Sequence, residues 1–148
     1  MSAGQTRIDF YFDAEDKLEV AIRIVQKAYT SGQRVLILAA DPAQYDTLDR
    51  RLWTQQTHSF LPHCGIDDAL APETPILLAA ASTHPSALPF SDLLINLTAF
   101  LPNNFTQFKR LIEIVSTHEA DKAPARERFR HYRAAGYDIQ SHRLGERT

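Results

Sequence analysis

The chain of 148 residues is 44% hydrophobic and 23% charged with a formal net charge of −2, values of an ordinary globular domain rather than a disordered or fibrous chain. No apolar stretch approaches the ~20 residues of a membrane-spanning helix, and Cys64, the only cysteine, excludes an intrachain disulfide. Residues 1–7 lack the basic start and apolar run of a secretory signal, so one domain over residues 1–148, in a reducing cytoplasm, is the expectation.

The residues from Ile8 to Phe12 read as a first strand, and Ala14 to Tyr29 as a helix with Leu18, Ala21, Ile22 and Val25 on its apolar face. Arg34 to Ala39 is a nearly continuous apolar run, the pattern of a strand covered on both faces in a parallel sheet. Asp41 is a candidate N-cap for the next helix, with Pro42 at its first position, Gln44 three residues after the cap, and Tyr45, Leu48, Leu52 and Trp53 towards its packing face. Residues 54–75 read as a loop holding at most a short edge strand, because Pro62, Gly65, Pro72 and Pro75 interrupt it. Ile76 to Ala81 and Leu93 to Leu97 are two further buried strands, and Phe105, Phe108, Leu111, Ile112 and Val115 repeat at helical spacing. A basic helix follows, Gly136 stops it, and residues 137–139 return as a last short strand. Strands alternating with helices predict a three-layer, Rossmann-like α/β fold, with a mainly parallel sheet and helices on both faces.

The basic helix is the most informative segment. Residues 122–133 hold five cations (Lys122, Arg126, Arg128, Arg130, Arg133) and one acid (Glu127), a local balance of +4 in a net acidic chain. At ~100° per residue, Lys122, Arg126, Phe129, Arg130 and Arg133 share an arc of roughly 100°, beside an apolar stripe of Ala125, Tyr132, Ala135 and Gly136. A solvated basic face explains the cations but gives no reason for Phe129 among them. An aromatic bordering four cations suits a pocket for an anionic ligand.

Elsewhere the chemistry is sparse. After the first strand come Asp13, Glu15 and Asp16, with no glycine-rich loop, and three carboxylates repel a phosphate. His58, His63 and Cys64 lack the second ligand pair of a structural zinc site, and no histidine or carboxylate pair has the pattern of a catalytic centre. No cofactor, metal or catalytic residue is therefore expected. Trp53 stands where a helix meets a loop, with Phe60 nearby; burial is the ordinary fate of such aromatics, and exposure would make them a protein anchor.

Taken jointly, the Leu52-Trp53 pair, Ser59-Phe60-Leu61-Pro62-His63, Ala125-Arg126-Glu127-Arg128-Phe129 with Tyr132-Arg133, and the earlier Ser31 to Ile37 run resemble the chi subunit family of bacterial DNA polymerase III over nearly the whole chain. The resemblance implies a non-catalytic clamp-loader adaptor bridging single-stranded DNA-binding protein to the psi subunit. In that family the basic helix receives the acidic C-terminal tail of single-stranded DNA-binding protein, which ends in Pro-Phe with a free carboxylate. Lys122, Arg126, Phe129, Arg130 and Arg133 match those positions, with Arg126 or Arg133 forking the carboxylate and Phe129 enclosing the terminal ring. Trp53 and Phe60 match the surface that meets psi and that a helicase-like repair protein can share. Phe129 stands where a tyrosine hydroxyl can occur, and Pro124 fits only in the first turn of the helix. The competing reading of the same cations is direct binding of single-stranded nucleic acid through its phosphates.

Overall fold

Short apolar runs whose alternate residues find cover on two sides build the sheet. In the computed structural model, which describes residues 6–54, 61–80, 92–102 and 105–144, the strands are β1 (Arg7–Ala14), β2 (Val35–Ala39), β3 (His63–Gly65), β4 (Ile76–Ala80), β5 (Leu93–Asn96), β6 (Arg110–Ser116) and β7 (Ile139–Arg143). Among the described residues they form one sheet in the order β3-β4-β2-β5-β6-β1-β7, every pairing parallel. Helices α1 (Lys17–Thr30) and α2 (Pro42–Thr54) pack on one face through Ala21, Ile22, Val25, Leu48 and Leu52. Helix α3 (Glu119–Ala134) packs on the other through Ala125 and Tyr132. The expected three-layer Rossmann-like architecture is therefore present, and the sheet is wholly parallel. Within β2, Val35 and Ile37 enter the first core while Leu36 and Leu38 enter the second, which is why that run is apolar throughout.

Local capping follows the sequence. Asp16 caps α1 by accepting the Leu18 and Glu19 N–H groups. Asp41 accepts the Gln44 N–H at 2.8 Å, and the Gln44 side chain accepts the Ala40 N–H at 2.7 Å, a reciprocal pairing at the start of α2. Gly136, at a φ of 90°, reverses the chain after α3, so β7 begins where the predicted last strand ended and runs on to Arg143.

One element differs in kind. The helix predicted over residues 105–115 is a short 3-10 turn, Phe105–Gln107, followed by β6. Leu111 and Val115 enter the α3 core and Ile112 and Ile114 the α1 core, so a doubly buried strand reproduced the spacing of an amphipathic helix. Three β-branched residues, Ile112, Ile114 and Val115, favour the strand once β5 and β1 are there to pair with it. This exchange brings Glu113 into the interior.

The short edge strand β3 is tightly fitted to α2. A Cβ added at Gly65 would stand 2.5 Å from the Tyr45 hydroxyl oxygen. Gly65→Ala is therefore expected to lower stability by roughly 1–3 kcal/mol in urea denaturation, with part of the loss recovered when Tyr45→Phe removes the hydroxyl. Equal losses with and without Tyr45→Phe would place the strain elsewhere.

Candidate peptide-binding site

In the first turn of helix α3, the Asp121 carboxylate accepts the Ser116 N–H at 2.7 Å and the Lys17 ammonium at 3.1 Å. Burial would raise the Asp121 carboxyl, but the Ser116 and Lys17 contacts outweigh it and hold the group below the usual carboxylate range. Pro124 lies in the second turn of α3, one turn further in than the sequence allows for. Its missing N–H leaves the carbonyl of Ala120 without its helical donor, and that residue is exposed, so water can serve.

The buried stripe of α3 also departs from the apolar one expected. It consists of Ala125, Arg128 and Tyr132, while Ala135 and Gly136 are exposed. Arg128 forks Glu113 through Nε and Nη2 at 3.1 and 3.0 Å, the Tyr132 hydroxyl donates to Glu113 at 2.7 Å, and the Asn96 amide donates to both carboxylate oxygens at 3.1 Å. Burial pushes the Glu113 carboxyl up, and the Arg128 fork and the two neutral donors oppose it. Every contact donates to Glu113, the pattern that a carboxylate requires. One of the five clustered cations is thus an internal counter-ion. The signal for it was a lone acid inside the apolar run Leu111 to Val115, facing an arginine two turns from Lys122.

The opposite border of α3 forms a concave site. Phe12, Arg126, Phe129, Arg130, Ser141 and Arg143 line a cleft of about 420 Å³, with three guanidinium groups and no carboxylate among the lining residues. Phe129 is half-buried, its ring 5.0 Å from Phe10 and 6.4 Å from Phe12 between centroids, so it forms an apolar floor. Arg143 lies 5.9 Å above the Phe12 ring and binds Asp13, whose φ of 64° ends β1 in a bulge. Arg126 pairs with Glu119, and Arg130 with Glu127, both on the exposed surface. Such exposed pairs are worth only ~0–1 kcal/mol each, so an incoming carboxylate displaces them easily.

The structure thus joins Arg126, Phe129 and Arg130 of the predicted set. Lys122 is half-buried and Arg133 exposed on the same helix, and neither lines the cleft. Phe12, Ser141 and Arg143 were missed, since nothing in the sequence says that β1 and β7 flank α3. A larger groove of about 1000 Å³ runs beside α1, but Asp13, Glu15, Asp16 and Glu19 on its walls give it the wrong sign for an anion.

At the far edge of the sheet, Trp53 is 53% exposed, which corrects its place on the packing face of α2. Its ring lies 4.9 Å from that of His63 between centroids. His63 is in turn fixed by oxygens of Leu61 and Asp49 at 2.8 and 3.0 Å from its ring nitrogens. Phe60 and His58 lie outside the described residues. Among the described residues no group of three or more His, Cys, Asp or Glu could hold a metal ion, and no helix is long and apolar enough to cross a membrane.

A family model described as DNA polymerase III chi subunit, HolC, matches residues 5–140, a span that includes both α3 and the Trp53 edge. The chain belongs to the DNA polymerase III chi subunit family. It is 40% identical over 144 residues to DNA polymerase III subunit chi of Pseudomonas aeruginosa, covering 94% of this chain and 97% of that one. Identity to the Haemophilus influenzae subunit chi is 32% over 127 residues, 86% of this chain and 87% of the relative. The Escherichia coli subunit chi is 29% identical over 123 residues, 83% of this chain and 82% of the relative. The chi family match thus extends over nearly all the elements that build the cleft and the Trp53 edge, ending within β7.

Proposed function

We propose that this chi-family protein is a non-catalytic adaptor of the bacterial replicative polymerase, in a single domain spanning residues 1–148. It captures the acidic C-terminal tail of single-stranded DNA-binding protein on α3 and meets the psi subunit of the clamp loader through Trp53 and Phe60. A helicase-like repair protein can use the same two residues. The observation that carries the reading is the cleft itself: three arginines around an aromatic floor, with no lining carboxylate. Arg126 forks the terminal carboxylate, the ring of the last residue lies on Phe129 and Phe12, and Arg130, Lys122 and Arg133 attract the acidic residues upstream. The cleft and the exposed Trp53 lie towards opposite edges of the sheet, β7 and β3, so both partners can be held at once.

The rival is direct binding of single-stranded nucleic acid, which uses exposed rings as stacking platforms. Phe129 packs against Phe10 and Phe12 instead of standing clear of the surface, which favours the peptide. The deciding experiment titrates a short acidic peptide ending in Pro-Phe, with its carboxylate free or amidated, against the protein by calorimetry. Amidation is expected to weaken binding about tenfold or more. Equal affinity for the two forms would remove the carboxylate fork, and oligonucleotide binding with a steep salt slope and no peptide binding would establish the rival.

A further inference from the structure

The cleft opens onto an edge of the sheet. Among the described residues β7 is the last strand on its side, paired only with β1. The Ile8 N–H donates to the Asp138 carbonyl, and the Leu144 N–H donates to the Phe12 carbonyl, each at 3.0 Å. With Ile8 opposite Ile139 and Phe12 opposite Arg143, the parallel ladder turns the backbone groups of Gln140 and His142 inward to β1. The N–H and C=O groups of Ile139 and Ser141 therefore point outward, away from the sheet. Asp9 braces this strand from below: it is fully buried and bound to Arg110 of β6 at 2.7 Å and His142 of β7 at 3.0 Å. Among the described residues β7 is a fixed, open edge, and Ser141 on it also lines the cleft.

We infer that an acidic peptide held by the cleft adds to the sheet as an eighth strand, pairing with the outward backbone groups of Ile139 and Ser141. This deepens the tail-capture reading above and rests on it. Charge sets the direction. Helix α3 and β7 run in opposite senses across the Gly136 turn, so the start of β7 lies towards the Arg133 end of α3, and its end lies towards Arg126. A strand parallel to β7 passes Arg133 and Arg130 with its acidic residues and reaches Arg126 with its terminal carboxylate. This gives Arg133, which lies outside the cleft, a role in the same contact. A proline next to the terminal residue is compatible, because alternate N–H groups of an edge strand face solvent and are not needed for pairing. Backbone pairing supplies affinity that does not depend on the upstream side chains, and the cleft supplies the terminus selectivity.

The test follows amide hydrogen exchange residue by residue, using the intact protein and a saturating acidic peptide ending in Pro-Phe. The Ile139 and Ser141 amides are expected to slow by about tenfold or more, while Gln140 and His142, already paired with β1, change little. N-methylation of alternate peptide amides upstream of the proline should weaken binding in one register and not in the next. Ser141→Pro removes the outward N–H without touching the β1 ladder, and it should weaken binding about three- to tenfold beyond the effect of Ser141→Ala. Binding that depends on Arg126 but leaves the Ile139 and Ser141 amides unprotected, and tolerates every N-methyl position equally, would overturn strand addition and leave tail capture standing. A wild-type protein that does not bind the peptide at all would overturn both.

Discussion

Glu113→Ala is expected to destabilise the protein by about 3–5 kcal/mol in denaturant unfolding, because it leaves a buried arginine without its counter-charge. The cost does not come from a strongly favourable ion pair. Desolvating both partners nearly cancels their attraction, but removing one leaves Arg128 5% exposed and uncompensated, while the Tyr132 hydroxyl loses its acceptor and the Asn96 amide keeps the Phe100 carbonyl. Arg128 already has one buried nitrogen, Nη1, with no hydrogen-bond partner among the described residues, so it has little alternative bonding to fall back on. Replacing the cluster together, by Glu113→Leu with Arg128→Met and Tyr132→Phe, should recover most of the loss. A Glu113→Ala cost below ~1 kcal/mol would mean that apolar packing of Ala125 and Tyr132 alone seats α3. The cluster reaches the binding site mechanically, since it fixes the rotation of α3 and hence which arginines face Phe12 and β7.

Arg126→Ala is expected to weaken binding of a Pro-Phe-terminated acidic peptide by about 1.5–3 kcal/mol, roughly ten- to a hundredfold, the range for hydrogen bonds to a charged group. Its own stability cost should be small, because the pair with Glu119 is more than half exposed on both sides. The informative comparison is a double cycle. If Arg126 holds the terminal carboxylate, amidating the peptide and substituting Arg126 remove one interaction twice, and the combined loss is much less than the sum. Additive losses would assign the carboxylate to Arg130 or Arg143. Arg126→Lys should recover only part of the affinity, because a lysine cannot fork a carboxylate. Phe129→Leu keeps an apolar floor and should weaken binding less than Phe129→Ala, which also strips cover from Phe10 and Phe12. Lys122→Ala and Arg133→Ala should each cost under about 1 kcal/mol, because both act at the margin of the cleft.

Much of the fold was legible because its strands are the short apolar runs that a doubly covered parallel sheet demands, and the start of α2 carries Asp41 with its capping partner Gln44. The failure at Leu111 to Val115 has a specific cause: a strand buried on both faces and a helix buried on one can place apolar residues at the same positions. Composition could not separate them; only neighbouring β5 and β1 could. The basic segment was legible as a helix, because helical spacing alone determines which residues share a face; of Lys122, Arg126, Phe129, Arg130 and Arg133 on that face, only Arg126, Phe129 and Arg130 line the cleft.

By itself, then, the sequence determined the alternation of strands and helices everywhere but at β6, the excess of cations around an aromatic on α3, and the family resemblance. The tertiary structure decided which of those cations are available. Arg128 is drawn inside by the fully buried Glu113, whose carboxylate it forks. Arg143 and Ser141 join the cleft because β7 crosses back beside β1, and Trp53 is exposed because α2 ends at the sheet edge over His63. Periodicity specifies the face of one element, but whether that face meets a core, a counter-ion or solvent depends on which other elements the chain brings to it.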